Sequence, residues 1–450
     1  MASAKDSEIL TQVGAGTPMG DLMRQYWLPA AMSGELKANG EPLRLVLLGE
    51  KLIAFRDSSG RVGILDHRCP HRCASLFFGR NEQDGLRCVY HGWKFDIAGR
   101  CLEMPNVPPE YDYKHKVRAK SYPACERNGL VWVYMGPRAQ PPGLPMLEPA
   151  LMPEHEMRIS FTQRECNWMQ ALEGDIDTTH LSFLHFGMLQ AEDLQPVGIA
   201  RFGIANRAAE LKVAATPWGT MYGASRAVEN LIYWRFAHFL FPCWTYIPNG
   251  EFSHHILGRA WVPMDDTHTM VVLLWWKGDL PEKRIRKDGQ PIAGAGGAPK
   301  YLPNTSDWYG RWRLAANASN DYEIDREVQR TRSYTGLDGI NLQDQAITES
   351  MGPITDHAWE HLGPSDLMII QTRRRLVQAA LALREHNQVP PGLEAPECFL
   401  RARGGDFVTD HEMDWEQAYD LQLRTMEDPT GRIRQSGATY GHSEMPQAAK

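Results

Sequence analysis

Two short arms of the chain each offer a metal one thiolate and one imidazole: Cys69-Pro70-His71 and, sixteen residues later, Cys88-Val89-Tyr90-His91, the pattern C-x-H-x16-C-x2-H. Zinc fingers and ribbons pair Cys with Cys and His with His along the sequence, so mixed arms ask for a different centre. A [2Fe–2S] cluster fits them, with Cys69 and Cys88 on one iron and His71 and His91 on the other. Two thiolates secure the inner iron. Two neutral imidazoles leave less negative charge on the outer one and raise its potential above that of an all-cysteine cluster. Gly79, Asp84-Gly85 and Gly92 fall where loops must bend around sulfides and present backbone N–H groups to them.

A second constellation follows about ninety residues on, in Glu173-Gly-Asp175-Ile-Asp177-Thr-Thr-His180-Leu-Ser-Phe-Leu-His185. Non-haem Fe(II) that activates O2 takes two His and one carboxylate on one face and leaves the remaining positions open. On an ideal α-helix His180 and His185 diverge by about 140°, too far for one ion. A π-type turn draws them together, and such turns favour functional sites. Asp177, three residues before His180, shares its helical face and can accept the imidazole N–H that a metal leaves free. The facial carboxylate has to come from another element, for which Asp338, Asp344, Glu349 and Asp356 are all candidates. The bland alternative is a solvated helix face carrying one core histidine. For a substrate, Arg207 and Arg235 could clamp a carboxylate, and Phe183, Phe236, Phe239 and Trp244 could wall a ring; strand aromatics more often fill a core, and arginines more often sit in surface pairs.

The elements that must position these groups divide the 450 residues into two domains with flanking segments. Residues 1–40 read as a helical segment, with helical spacing from Gly20 to Trp27 closed by Pro29. Residues 41–140 hold short β-type runs separated by Gly and Asp-Gly turns, a small all-β domain around the first constellation. A proline-dense linker, 141–155, leads to an α+β domain over 156–390. There, Ser160 to Gly187 reads as mostly helical, Tyr233–Tyr246, Ser253–Val262 and Thr267–Trp276 read as strands of one antiparallel sheet, and a capped amphipathic helix starts at Ser365-Asp366 and stops before Pro390-Pro391. Residues 281–304 read as a surface loop, and 391–450 form a C-terminal extension. With 43% hydrophobic residues and 14 Trp there is material for two cores and an apolar pocket. A net charge of −7 with scattered basic residues excludes the electrostatic footprint of a nucleic-acid binder. No signal peptide or membrane span is read, and eight Cys in such a length are no disulfide framework, so a cytoplasmic location is expected.

The stretch Cys69-Pro-His-Arg…Cys88-Val-Tyr-His-Gly-Trp resembles the cluster motif of Rieske oxygenase large subunits, and Asp177-x2-His180-x4-His185, with Asn167-Trp168 ahead of it, resembles their mononuclear-iron segment. Val13-Gly-x-Gly-Thr-Pro-Met-Gly20, Tyr26-Trp27 and the segment from Asn341 to Asp366 are similar to the phthalate dioxygenase and dehydrodivanillate O-demethylase branch, so the likeness spans nearly the whole chain. Families of this kind carry a small residue where this chain has Cys73. The resemblance implies a terminal oxygenase with a Rieske cluster and mononuclear Fe(II), using O2 to dihydroxylate an aromatic carboxylate or, alternatively, to O-demethylate a methoxy aromatic acid. It implies Asp344 as the third iron ligand, and a head-to-tail trimer or dimer of trimers in which His91 of one subunit meets Asp177 and His180 of the next. With no flavin or nicotinamide motif in the chain, it also implies a separate flavin and iron–sulfur reductase drawing on NAD(P)H. A Rieske electron carrier whose second domain only binds is the reading from another class.

Overall fold

The computed structural model describes residues 3–194, 200–250, 252, 256–276, 285–409 and 413–425. Helix α1 (Ala4–Thr11) starts on a Ser3 cap and α2 (Pro18–Arg24) on a Thr17 cap with Pro18 in its first turn. The helical pattern read as far as Trp27 stops at Arg24, because Trp27–Met32 is taken up as strand β1.

Strand β1 pairs with β11 (Leu130–Tyr134), which also carries β10 (Ala124–Arg127). The rest of the β-domain is two four-stranded antiparallel sheets: β2 (Leu43–Leu47), β3 (Glu50–Arg56), β4 (Val62–Asp66) and β9 (Ser121–Tyr122) in one, and β5 (Arg80–Glu82), β6 (Gly85–Arg87), β7 (Lys94–Phe95) and β8 (Cys101–Glu103) in the other. Ile53, Phe55, Leu65, Leu86 and Phe95 close a small core between them, and Cys69, Cys88 and Trp93 belong to that same core. The cluster arms thus hang from packed strands: one leaves β4 and the other joins β6 to β7.

In the α+β domain, β12 (Met157–Arg164), β13 (Glu210–Thr216), β14 (Gly219–Val228), β15 (Leu231–Leu240), β16 (Trp244–Tyr246), β17 (Leu257–Pro263) and β18 (Thr269–Trp276) form an antiparallel sheet in the order β12-β18-β17-β16-β15-β14-β13, and β19 (Gly405–Thr409) also pairs with β15. The expected helix over 160–187 therefore begins late. Residues 157–164 pair with β18 from Met157↔Trp276 to Arg164↔Thr269, and helix starts at α4 (Trp168–Ile176), where the Asn167 side chain accepts from the Met169 N–H at 3.0 Å. A short α3 (Glu148–Leu151) precedes the sheet. The helices α5 (Ala200–Ala205), α6 (Arg326–Thr331), α7 (Ile340–Ser350), α8 (Leu367–His386) and α9 (Trp415–Thr425) follow in chain order. The expected late helix is α8; α1 and α2 pack on it, and it ends on Asn387 in the left-handed region just before Pro390. The two domains meet where Trp132 of β11 stacks on Trp244 of β16, ring centres 5.9 Å apart. Among the described residues, no helix is long and apolar enough to cross a membrane.

One buried ion cluster anchors the helix that leads into the second constellation. Arg373 of α8 reaches both oxygens of Glu173 on α4, at 2.5 and 2.6 Å, and both of Glu360 in the stretch after α7, at 2.5 and 2.9 Å. One cation thus ties three segments. Arg373→Met leaves Glu173 buried without its counter-charge, and removal of one partner from a buried pair costs about 3–5 kcal/mol; thermal unfolding should show a large drop in midpoint, while Arg374→Met on the same helix should show little.

Candidate metal centres

The two cluster arms repeat one local shape. Cys69 N–H donates to Ala74 O at 2.8 Å and Cys88 N–H to Trp93 O at 2.8 Å; within each loop the residue four further on, Cys73 or Gly92, donates back to the cysteine carbonyl at 2.9 and 3.0 Å. That turn needs a left-handed residue, and Cys73 at φ +59 matches Gly92 at φ +78. A cysteine where glycine would be relaxed carries about 1–2 kcal/mol of strain. The thiols of Cys69 and Cys88 lie buried within hydrogen-bonding reach of each other, and burial pushes the Cys69 thiol up to about 12, so the thiolates that iron requires need the positive charge of the metal beside them. On the solvent side the His71 and His91 rings lie 4.4 Å apart, and His71 stacks on Trp93 at 4.3 Å. Paired thiols inside and paired imidazoles outside fit a Rieske cluster.

In the second domain the expected π-turn is present: Leu181–His185 is π-helical. It brings His180 Nε2 and His185 Nε2 within 3.2 Å, and Asp344 of α7 completes the group, its Oδ1 at 3.2 Å from His185 Nε2 and 3.6 Å from His180 Nε2. Three ligand atoms converge on one point. Burial opposes the Asp344 charge, but His185 and His180 beside it win and hold the carboxyl below its ordinary range. None of the three rivals joins the group. Glu349 accepts from Tyr322 Oη at 2.6 Å and from the Glu165 N–H at 2.8 Å, Asp356 accepts from the Ala358 N–H at 3.0 Å, and Asp338 is exposed.

Each imidazole also has an acceptor on its far nitrogen. His185 Nδ1 lies 2.8 Å from Gln343 Oε1, and Gln343 Nε2 donates to the carbonyls of Gly294, at 2.8 Å, and Leu337, at 3.1 Å. His180 Nδ1 lies 3.5 Å from Asp177 Oδ2. Asp177 differs from expectation in how it gets there. It terminates α4 in an extended conformation rather than sharing a helical face with His180, and it is oriented by Thr179, whose N–H and hydroxyl donate to Oδ1 at 2.7 and 2.6 Å. A cavity of about 140 Å³ opens beside the group, lined among others by Asp177, His180, Tyr222, Arg235, Asn249 and Asp344.

A family model described as "Rieske [2Fe-2S] domain" matches residues 26–123, and one described as "LigXa C-terminal domain like" matches residues 133–428. The chain is 49% identical over 428 residues to the 3-chlorobenzoate-3,4-dioxygenase oxygenase subunit of Comamonas testosteroni, covering 94% of this chain and 99% of that one. The chain belongs to the Rieske oxygenases. The oxygenase is also 34% identical to the phthalate 4,5-dioxygenase oxygenase subunit of Pseudomonas putida, over 85% and 87% of the two chains, and 32% identical to the 5,5'-dehydrodivanillate O-demethylase oxygenase subunit of Sphingobium sp., over 89% and 84%. Its fold is that of dicamba monooxygenase, at TM-score 0.53 and 17% identity, covering 80% of this chain and 99% of that one. The oxygenase accordingly carries a Rieske cluster and a mononuclear iron, and works as one component of a system with a separate electron donor.

Of the side chains read as substrate contacts, only Arg235 lines the cavity. Arg207 instead donates to the carbonyls of Ser182 and, at 3.0 Å, Leu189, holding the π-turn rather than a ligand. Phe183 is 52% exposed under the Arg207 guanidinium. Phe236 alternates with Arg235 along β15 and therefore points to the other face, stacked on Phe407 and Trp415. Phe239 packs on Phe241, and Trp244 on Trp132, so both are core. Sequence reasoning passed over Gln343, Thr178 and Tyr222. Gln343 had a signal, since a metal-bound imidazole needs an acceptor on its free nitrogen and an amide beside Asp344 is a ready one. The loop read as a plain surface insertion matters here too, although its first part, 281–284, lies outside the described residues. Its Gly294, at φ +78, brings its carbonyl to Gln343, and a Cβ there would meet Leu337 O at 3.0 Å. Gln343→Leu keeps the size of the side chain but removes the acceptor from His185. The oxygenase should then bind Fe(II) at the mononuclear site about 10–100-fold more weakly, by anaerobic titration, with an unchanged cluster spectrum.

Proposed function

We propose that the oxygenase hydroxylates an aromatic carboxylate, adding both atoms of O2 to the ring. The observation that carries this is the convergence of His180, His185 and Asp344 on a cavity whose inner wall presents the Arg235 guanidinium. Likeness to chlorobenzoate and phthalate dioxygenase subunits supports the substrate class. When bound, the iron supplies O2 activation and the cluster supplies electrons one at a time. The chain's own residues do the rest. Arg235 holds the carboxylate so that the ring faces the metal ligands, while Leu181, Phe186 and Ile247 give the ring an apolar surround. Asp177 fixes the tautomer of His180 through Nδ1 and keeps Nε2 for the metal. O-demethylation of a methoxy aromatic acid is the second reading, supported by the likeness to the demethylase subunit.

Electrons come from a separate flavin and iron–sulfur reductase drawing on NAD(P)H. Subunits associate head to tail as a trimer or a dimer of trimers, so that His91 of the partner subunit meets the free edge of Asp177. Two exposed apolar surfaces support that arrangement: Val89 and Tyr90 (52% exposed) around the cluster, and Met351, Ile354 and Trp359 (82% exposed) after the helix that carries Asp344. All eight cysteines are free of disulfides, which suits a cytoplasmic enzyme.

The test is product analysis with purified oxygenase, a surrogate reductase, NADH and a panel of benzoates, phthalates and methoxybenzoates. A cis-diol from a ring carboxylate is the expected product; formaldehyde instead would replace this reading with the second. Asp177→Asn keeps shape but changes the charge and the hydrogen bonds on offer. Both metal sites should load as in wild type, while stopped-flow oxidation of the pre-reduced cluster with substrate and O2 slows about 10–100-fold. A normal rate removes Asp177 from the link between subunits, and loss of iron makes it a ligand.

A further inference from the structure

The two imidazoles of the cluster site belong to different ring stacks. His91 lies beneath Tyr90, ring centres 3.9 Å apart, on the side given above to the partner subunit. His71 lies flat on Trp93 at 4.3 Å with 10° between the planes, and Trp93 in turn meets Tyr113 edge-on at 6.0 Å. Trp93 is buried and its Nε1 donates to Asn106 Oδ1 at 2.7 Å, which fixes the middle ring of this column. Tyr113 is 41% exposed. The column therefore runs from an outer imidazole of the cluster to water.

Tyr113 stands on a knuckle, residues 107–118, built from two 3-10 turns, Pro109–Tyr111 and Lys114–Lys116. Backbone bonds close both turns: the Tyr111 N–H donates to Pro108 O at 2.9 Å and the Lys116 N–H to Tyr113 O at 2.9 Å. The knuckle is also cationic. Lys114 is paired with Asp112 at 2.8 Å, but Lys116 and Arg118 are exposed and neither has a carboxylate partner among the described residues; Arg118 donates to Ala98 O at 3.3 Å. Tyr111 adds a second large ring, 70% exposed. The chain as a whole carries −7, so the knuckle is a local reversal of sign. Exposed aromatic rings among unpaired cations have the make-up of an interaction surface, and its charge selects a partner face rich in acidic residues.

We propose that this knuckle is the landing site of the electron donor: an iron–sulfur protein docks on it through an acidic face, and its electron enters along Tyr113 and Trp93 to His71. One electron leaves the reduced donor, which is oxidised, and the outer iron goes from ferric to ferrous. Neither ring is oxidised on the way, and no bond or proton changes on either. His71 then serves entry and His91 exit, so the donor and the partner subunit can be engaged at once. This rests on the reading of a separate iron–sulfur donor and on none of the substrate.

The test is anaerobic stopped-flow reduction of the full-length, metal-loaded oxygenase, without substrate or O2. One reductant is an acidic plant-type [2Fe–2S] ferredoxin, whose potential lies below that of a Rieske cluster; the other is reduced methyl viologen, which is small and needs no docking. With ferredoxin the wild-type second-order rate should fall steeply as salt rises. Lys116→Glu/Arg118→Glu should slow it about 10–100-fold at low salt and flatten the salt dependence. Arg374→Glu/Arg384→Glu on α8 changes the net charge equally and should leave the rate near wild type. Tyr113→Leu should lower the limiting rate at saturating ferredoxin with half-saturation unchanged, and Tyr113→Phe, which keeps the ring, should restore it. In every variant the viologen rate and the spin-resonance spectrum of the reduced cluster should stay close to wild type. A salt-independent wild-type rate overturns the docking site, as does a knuckle reversal that changes nothing, slows viologen equally or acts no more strongly than the α8 pair. A changed oligomeric mass in Lys116→Glu/Arg118→Glu overturns it too, by making the knuckle a subunit contact. An unaltered limiting rate in Tyr113→Leu overturns the ring path. If neither reductant produces a reduced-cluster spectrum, the cluster reading itself falls and the inference falls with it.

Discussion

Two imidazoles five residues apart must meet a carboxylate from a distant helix at one point, and the second domain is arranged around that demand. A regular α-helix would splay His180 and His185. The π-turn that unites them is an uncommon conformation and holds only where its surroundings hold it. Here Arg207 takes the carbonyls of Ser182 and Leu189, the Ser182 hydroxyl donates to Gly203 O at 3.0 Å, and the Asp177–Thr179 turn sets where the segment begins. Upstream, α4 is fastened by the Glu173–Arg373–Glu360 cluster. Downstream, α7 brings Asp344 and, one residue before it, the Gln343 that orients His185. A single helix therefore supplies both the carboxylate and the amide that aims one of the imidazoles.

The first domain solves the opposite problem. Its two Cys and two His come from two loops that are already neighbours, so a small core of β-strands suffices to hold them, and the strain lies in the turn at Cys73, since Gly92 takes the same left-handed conformation freely. The thiols point into that core and the imidazoles toward solvent. This polarity suits a cluster that must receive an electron at its surface and pass it on through a histidine. Since the two metal groups rest on separate sets of strands joined through the Trp132–Trp244 stack, damage to one set of ligands leaves the other its own support.

What the sequence made legible follows from how local each ligand set is. The cluster arms lie within a short window, so their spacing alone pointed to a cluster, whereas the equally short Asp177, His180, His185 segment asked for a π-turn by its spacing but kept a solvated helix face as the alternative until the family resemblance tipped the balance. Asp344 did not show by spacing, because nothing in the α7 sequence distinguishes it from Glu349 until Tyr322 and Glu165 are seen to occupy that side chain. The aromatic residues of β15 misled for a related reason. That strand is covered on both faces, so its run of apolar residues has no readable phase, and Phe236 could be assigned to the cavity when it belongs under α9. The edge strand β12 was hidden for a different reason: it runs into α4 with only Glu165 to Asn167 between them, so strand and helix read as one pattern.

The claim on which the rest stands is that His180, His185 and Asp344 hold one iron, separate from the cluster. Iron content and the spin-resonance spectrum of the reduced cluster, measured together on wild type and on Asp344→Ala, Asp338→Ala, Glu349→Ala and Asp356→Ala, test it directly. Three irons per chain are expected in wild type and in the three controls, and two in Asp344→Ala with the cluster signal unchanged. A third iron retained in Asp344→Ala, or lost from one of the controls while Asp344→Ala keeps it, would contradict the account.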